Sequence, residues 1–229
     1  MPEQRWGRCA RLLGRFAAAM AVAALATGCA HQATVSPAQV DRLGALFTQT
    51  VPIAWMVERI AEREAAWPFQ EHAGKFTAAQ LACTRGQLTA DKIVVTQQAD
   101  ARDFARRHPD RVADSIKLLE DGAAEALGDA MRAGAVQGMT GRRADTRTTL
   151  GKLSSAQLRG FMELTQGSQY TELRRALRLD GLSSTESRAQ SRSRGYQIGQ
   201  ALLIGPLLAA MEHCRIAPAD LFDAAGTPT

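Results

Sequence analysis

Three observations predict an all-α protein, a single-domain bundle of five to six helices. First, one helix-start signal recurs, in Ser36-Pro37-Ala38-Gln39, Thr77-Ala78-Ala79-Gln80, Ser154-Ser155-Ala156-Gln157 and Ser183-Ser184-Thr185-Glu186. In each, a hydroxyl can accept from the amide three residues on, while the Gln or Glu reaches back to the first residue's own amide. Donors that a helix start leaves free are thereby satisfied. Second, apolar residues recur at helical spacing after these signals. Third, only Lys92-Ile93-Val94-Val95-Thr96 could compete as a strand, and one isolated strand has nothing to pair with.

The elements follow in order. A first helix is expected from Pro37 to Ala66, with Val40, Leu43, Phe47, Val51, Met56 and Ile60 on its apolar stripe, a kink at Pro52 and a stop at Trp67-Pro68. A second starts at Thr77, carries Leu81, Leu88, Ile93 and Val95, and extends toward Phe104. A third begins near Asp110 with Val112, Ile116, Leu119, Ala123, Leu127 and Met131. Residues 134–151, with Gly134, Gly138, Gly141, Arg142, Arg143 and Arg147, lack apolar periodicity and are expected to be a loop. Two short helices, Ser155 to Thr165 and Ser168 to Leu179, should turn Leu158, Phe161, Met162, Tyr170, Leu173 and Leu177 inward and stop at Asp180-Gly181. The last helix begins near Ser184 with an arginine-rich half and becomes apolar from Ile198 to Met211, which should place that half in the core.

Ahead of this body the chain has a different character. Arg5, Arg8, Arg11 and Arg15 stand against one acid, Glu3, and residues 16–26 are all Ala, Val, Leu, Met or Phe. Such a run is about half the roughly twenty residues that a membrane-spanning helix needs, so it reads as the apolar region of an export signal. It ends in Leu25-Ala26-Thr27-Gly28-Cys29, which resembles the lipobox of bacterial lipoprotein signals, with Ala26 where Leu is usual. The resemblance implies a diacylglyceryl group on Cys29, cleavage before it and acylation of the new amine. Ala30 in place of Asp then implies transport to the periplasmic side of the outer membrane. Two or more acyl chains give stable anchoring. The expected organisation is a signal over residues 1–28, a lipidated tether over 29–35, a helical domain over 36–222 and a disordered tail over 223–229.

Removing residues 1–28 takes four of 28 basic and one of 23 acidic residues, leaving 24 against 22. Balanced charge and 5% aromatic residues disfavour nucleic acid as a partner. With Cys9 in the signal and Cys29 lipidated, Cys83 and Cys214 remain. In an oxidising periplasm a disulfide is the simplest expectation, with free or catalytic thiols as the alternative.

Residues 153–170, Leu153-Ser154-Ser155-Ala156-Gln157-Leu158-Arg159-Gly160-Phe161-Met162-Glu163-Leu164-Thr165-Gln166-Gly167-Ser168-Gln169-Tyr170, resemble the domain-of-unknown-function family numbered 2059 of periplasmic proteins. Met162 stands where that family has a second aromatic, and the usual Pro before Gly is missing. The resemblance implies a capped helix followed by a second amphipathic one, and no chemistry.

No zinc-hydrolase, serine-hydrolase, transpeptidase or phosphate-loop motif occurs in the sequence. Glu58 and Glu62 lie four apart as paired carboxylates could, yet Arg59, Arg63 and Glu64 beside them fit a solvated, salt-bridged face. His31, His72, His108 and His213 share no ligand spacing, so neither a metal nor another cofactor is expected. Arg174, Arg175 and Arg178, with Arg188, Arg192 and Arg194, could form a basic surface for an acidic protein or lipid head groups. The expectation is a non-enzymatic protein-binding module held to the membrane through Cys29, an envelope or assembly factor. Two alternatives stay open: an immunity protein that neutralises a periplasm-acting toxin, and a cell-wall hydrolase using Glu58, Glu62 or His108.

Overall fold

The structure, a computed structural model, describes residues 34–141, 151–180 and 202–222. The described residues from Val35 onward belong to one compact unit. It is all-α, with no strand among the described residues and with more helical segments than the five or six expected.

Helix α1 (Pro37–Thr50) opens on the anticipated capping box: Ser36 Oγ accepts from Gln39 N–H at 3.3 Å, and Gln39 Oε1 accepts from Ser36 N–H at 2.9 Å. Its buried residues Leu43, Leu46, Phe47 and Thr50 follow a helical period into the centre of the core. Phe47 meets Phe104 there with ring centroids 6.2 Å apart. The expected single helix to Ala66 is instead two. Pro52 has no N–H and cannot continue α1, so α2 (Ile53–Arg63) starts afresh, and the Val51 carbonyl accepts from Ile53 N–H at 2.8 Å across the turn. Gln97 Nε2–H, buried on a neighbouring helix, donates to it at 2.7 Å.

The expected helix from Thr77 also breaks. Helix α3 (Ala78–Gln87), capped by Thr77 and Gln80, ends at Leu88, and Thr89 begins α4 (Ala90–Arg107). The strand-like run lies inside α4. Its buried positions Ile93, Gln97, Ala101, Phe104 and Ala105 have the period of a helix. A strand would have put Ile93 and Val95 on one face, whereas here Ile93 is 2% and Val95 59% exposed.

Helix α5 (Val112–Leu118) runs into a π turn over Leu119–Ala123, and α6 (Ala124–Thr140) continues from it. Gly122 has φ 114°, a conformation that side chains with a Cβ rarely adopt, and an added Cβ would lie 2.6 Å from Gln157 Cγ. The turn therefore lets α7 (Ser155–Gln166), capped by Ser154 and Gln157, lie directly across it. Residues 134–140, expected in a loop, form the last two turns of α6, which closes with Gly141 N–H on Gln137 O at 2.9 Å. The rest of that expected loop, 142–150, lies outside the described residues. Lack of apolar periodicity identified exposure here and not irregular backbone, for much of this end of α6 faces solvent.

A 3₁₀ turn (Ser168–Tyr170) leads into α8 (Thr171–Ala176). Helix α9 covers 202–213, and α10 (Ala219–Phe222) follows. The arginine-rich start of the last helix, its capping signal at Ser183 and the tail from 223 lie outside the described residues. The apolar run of α9 is buried on one side only: Leu202, Ala210 and Met211 are buried, while Ile204 and Leu208 are exposed. On α7 the buried residues are Gly160, Leu164 and Thr165, so Leu158 and Met162, expected inside, face outward.

Two constraints tie these helices. At Gly128 on α6, an added Cβ would stand 2.3 Å from the Gln49 carbonyl oxygen of α1, closer than any real Cβ contact. Elsewhere, Cys83 in α3 is disulfide-bonded to Cys214 just past α9, with Cα atoms 5.8 Å apart and a sequence separation of 131. The bridge adjoins a small second core in which Phe69, Phe76, Met211 and Ile216 are buried and Cys214 packs against them.

Gly128→Ala is expected to lower stability by about 1 to 3 kcal/mol, because neither the α1 backbone nor α6 can yield locally. A denaturant melt with the wild-type midpoint would contradict the close crossing. Cys83→Ala should cost about 2 to 5 kcal/mol and lower Tm by several degrees, and a melt insensitive both to that change and to reductant would contradict the bridge.

Candidate functional surface and cleft

Cys29 lies outside the described residues, as do Arg188, Arg192 and Arg194. The other three arginines are brought together at the end of α7 and along α8, but they are engaged by the protein itself. Arg174 Nη1–H donates to the carbonyls of Leu164 at 2.9 Å and Gly167 at 2.7 Å, satisfying acceptors that the end of α7 leaves free. Its Nη2–H reaches Thr171 Oγ1 at 3.1 Å. Arg175 pairs with Glu172, and Arg178, at φ 59°, reaches Asp100 Oδ2 at 3.2 Å. Each of the three is thus engaged within the protein, Arg174 on neutral carbonyls that leave its charge in place and Arg175 and Arg178 in ion pairs that leave part of their side chains exposed.

Nearby acids respond accordingly. Hydrogen bonding from Arg175 holds the Glu172 carboxyl below its ordinary 4.5. Arg106, with Arg107, does the same for Asp103. Tyr170 is pushed up by burial first and then by the charge of Glu163.

Of the suspected acid–base groups, Glu58 and Glu62 lie four apart on α2 and His108 belongs to another helix end. Glu62 pairs with Arg59 at 2.8 Å. His108 ends α4, packs its ring 5.2 Å from that of Phe104, and has Nε2 3.9 Å from Glu172, which Arg175 already holds. His72 is in the 3₁₀ turn Gln70–Lys75, and His213 ends α9. His31 lies outside the described residues. Among the described residues, no three His, Cys, Asp or Glu side chains are grouped to hold a metal, and no helix is long and apolar enough to cross a membrane.

What the structure does assemble is a cleft of about 380 Å³ between the end of α2 and the α3–α4 junction, where continuous helix was expected. Its floor is Val57 of α2, Trp67 and Leu88, all buried. Its rim holds Glu58, Glu64 and Arg85. Arg85 Nε–H donates to the Trp67 carbonyl at 2.7 Å and its Nη2–H to that of Ala65, which fixes the turn after α2 against α3. Glu58 and Glu64 are exposed and make no ion pair among the described residues. Of the two helix ends at the cleft, the first was anticipated within three residues by the stop at Trp67-Pro68, and the second was not. A faint signal existed at the second, since Thr89 is an N-cap residue type with Asp91 in the turn that follows, where negative charge favours a helix start.

No known protein family, curated protein or solved structure gives a significant match to the chain.

A carboxyl whose folded-state pKa is depressed contributes stability above the ordinary carboxylate range and loses it as pH falls through the folded-state value. Glu172 should therefore titrate below 4.5 when followed by carboxyl NMR, and Arg175→Ala should return its midpoint toward that value. An unchanged midpoint in the variant would contradict the assigned cause.

Proposed function

We propose that the protein is a lipid-anchored lipoprotein on the periplasmic side of the outer membrane, and that its helical body works by binding another protein, without catalysing a reaction. The observation that carries the reading is the junction at Leu25-Ala26-Thr27-Gly28-Cys29. There a basic, apolar export-type segment meets a cysteine preceded by small residues, the arrangement that lipid transfer and cleavage require. The Cys83–Cys214 bridge supports it, because disulfides persist in oxidising compartments such as the periplasm. The non-enzymatic part is supported by where the reactive side chains stand. Of the hydrolase candidates Glu58, Glu62 and His108, Glu62 is paired with Arg59 and His108 packs on Phe104 at the end of another helix. The outward-facing Leu158 and Met162, one helical turn apart on α7, are apolar surface of the type a protein contact uses.

Cys29→Ser tests the anchor, since a hydroxyl is a far weaker nucleophile than a thiolate. The variant should leave the membrane fraction and incorporate no labelled palmitate. Retention in outer membranes with label would refute the lipoprotein reading. Release of soluble fragments from peptidoglycan by the purified protein, lost on Glu62→Gln, would refute the non-enzymatic one.

A further inference from the structure

Resting on the reading of the protein as a binding module, we infer that the cleft between α2 and the α3–α4 junction receives an arginine or lysine side chain from a basic segment of the partner. Three features of the cleft define that occupant. At about 380 Å³ it is at the small end of ligand-sized cavities, suited to one long side chain and its flanking backbone. The floor of Val57, Trp67 and Leu88 is apolar, matching the methylene stem that such side chains lay along apolar surface. The two rim carboxylates, Glu58 and Glu64, have no ion pair among the described residues. The third charge at the rim, Arg85, is held by the carbonyls of Trp67 and Ala65. A cationic head entering over the floor therefore meets carboxylates that need not break another contact to accept it, and charge-assisted hydrogen bonds of this kind are the stronger ones.

The cleft offers a partner the opposite sign from the arginine-bearing end of α8: two carboxylates, Glu58 and Glu64, stand at its rim against the single guanidinium of Arg85. At this surface the complementary partner is basic.

The test uses the full-length protein in detergent and fluorescein-labelled tetra-arginine, with labelled tetra-glutamate as the opposite-charge probe, at near-physiological salt so that long-range attraction is screened. Tetra-arginine should bind and tetra-glutamate should not. Glu58→Gln with Glu64→Gln should weaken binding at least about tenfold, as expected when charge complementarity is removed. Ala61→Trp, which fills the cleft and leaves its charge intact, should weaken it as well. Glu125→Gln with Glu212→Gln removes the same charge elsewhere and should leave binding unchanged. No binding of tetra-arginine, equal loss in the two double variants, or full binding by Ala61→Trp would each overturn the inference. These outcomes are separate from peptidoglycan cleavage, which would overturn the binding-module reading itself.

Discussion

The fold depends first on what happens at Val51 and Pro52. Helix α1 carries the most deeply buried stripe of the molecule, and Pro52 ends it by removing an amide where the helix would otherwise continue. A carbonyl left free in a core costs free energy unless a donor reaches it. At Val51 two donors reach it, Ile53 N–H at 2.8 Å across the turn and the buried Gln97 side chain, from the middle of α4, at 2.7 Å. The second of these hydrogen bonds thus fixes the register of α4 against the end of α1, and the same break lets α2 leave the line of α1. Gln97 Oε1 is buried without a partner among the described residues, so the donating side of this amide is the one that holds the structure.

Around that centre, close approach and covalent closure do different jobs. Gly128 lets α6 pack onto the α1 backbone, and Gly122 lets α7 cross the π turn; both act where two backbones meet and no side chain fits. The second core, built on Phe69, Phe76, Met211 and Ile216, adds to the hold that the main core has on the same C-terminal helix through Leu202 and Ala210. The Cys83–Cys214 bridge adjoins it and ties that helix to α3, closing a loop long enough for chain entropy to favour the folded state by about 4 to 5 kcal/mol. The cleft is a by-product of the same geometry, since it lies where α2 stops and where α3 gives way to α4.

Fold class was legible because capping boxes and apolar spacing are local. Ser36, Thr77 and Ser154 cap helices as their sequences imply, and the positions of Cys83 and Cys214 in early and late helices allowed their meeting. Helix continuity was less legible. The Leu88–Thr89 break has no glycine or proline at it, and the spacing of Ile93 and Val95 looks strand-like until the longer period through Phe104 is followed. The glycines from 134 to 138 suggested a loop, yet helical backbone tolerates them at an exposed end. Least legible was the fate of charge. Whether an arginine faces solvent or answers a carbonyl, as Arg174 does for Leu164 and Gly167, depends on contacts made only after folding. The cleft joins Val57 to Leu88 across two turns for the same reason.

Together these features describe a helical body whose proposed role joins a lipid anchor at one end to an acidic-rimmed cleft on its surface. The central claim is the state of the four cysteines, because it sets the compartment, the anchor and the rigidity of the body at once. Intact-mass spectrometry of the protein extracted from membranes tests it in a single measurement, with a reduced sample beside it. The account predicts a chain beginning at Cys29, heavier than residues 29–229 by a diacylglyceryl group and an amide-linked acyl chain, and gaining two hydrogens on reduction. A mass equal to residues 1–229 with no acyl addition, and unchanged by reductant, would contradict it.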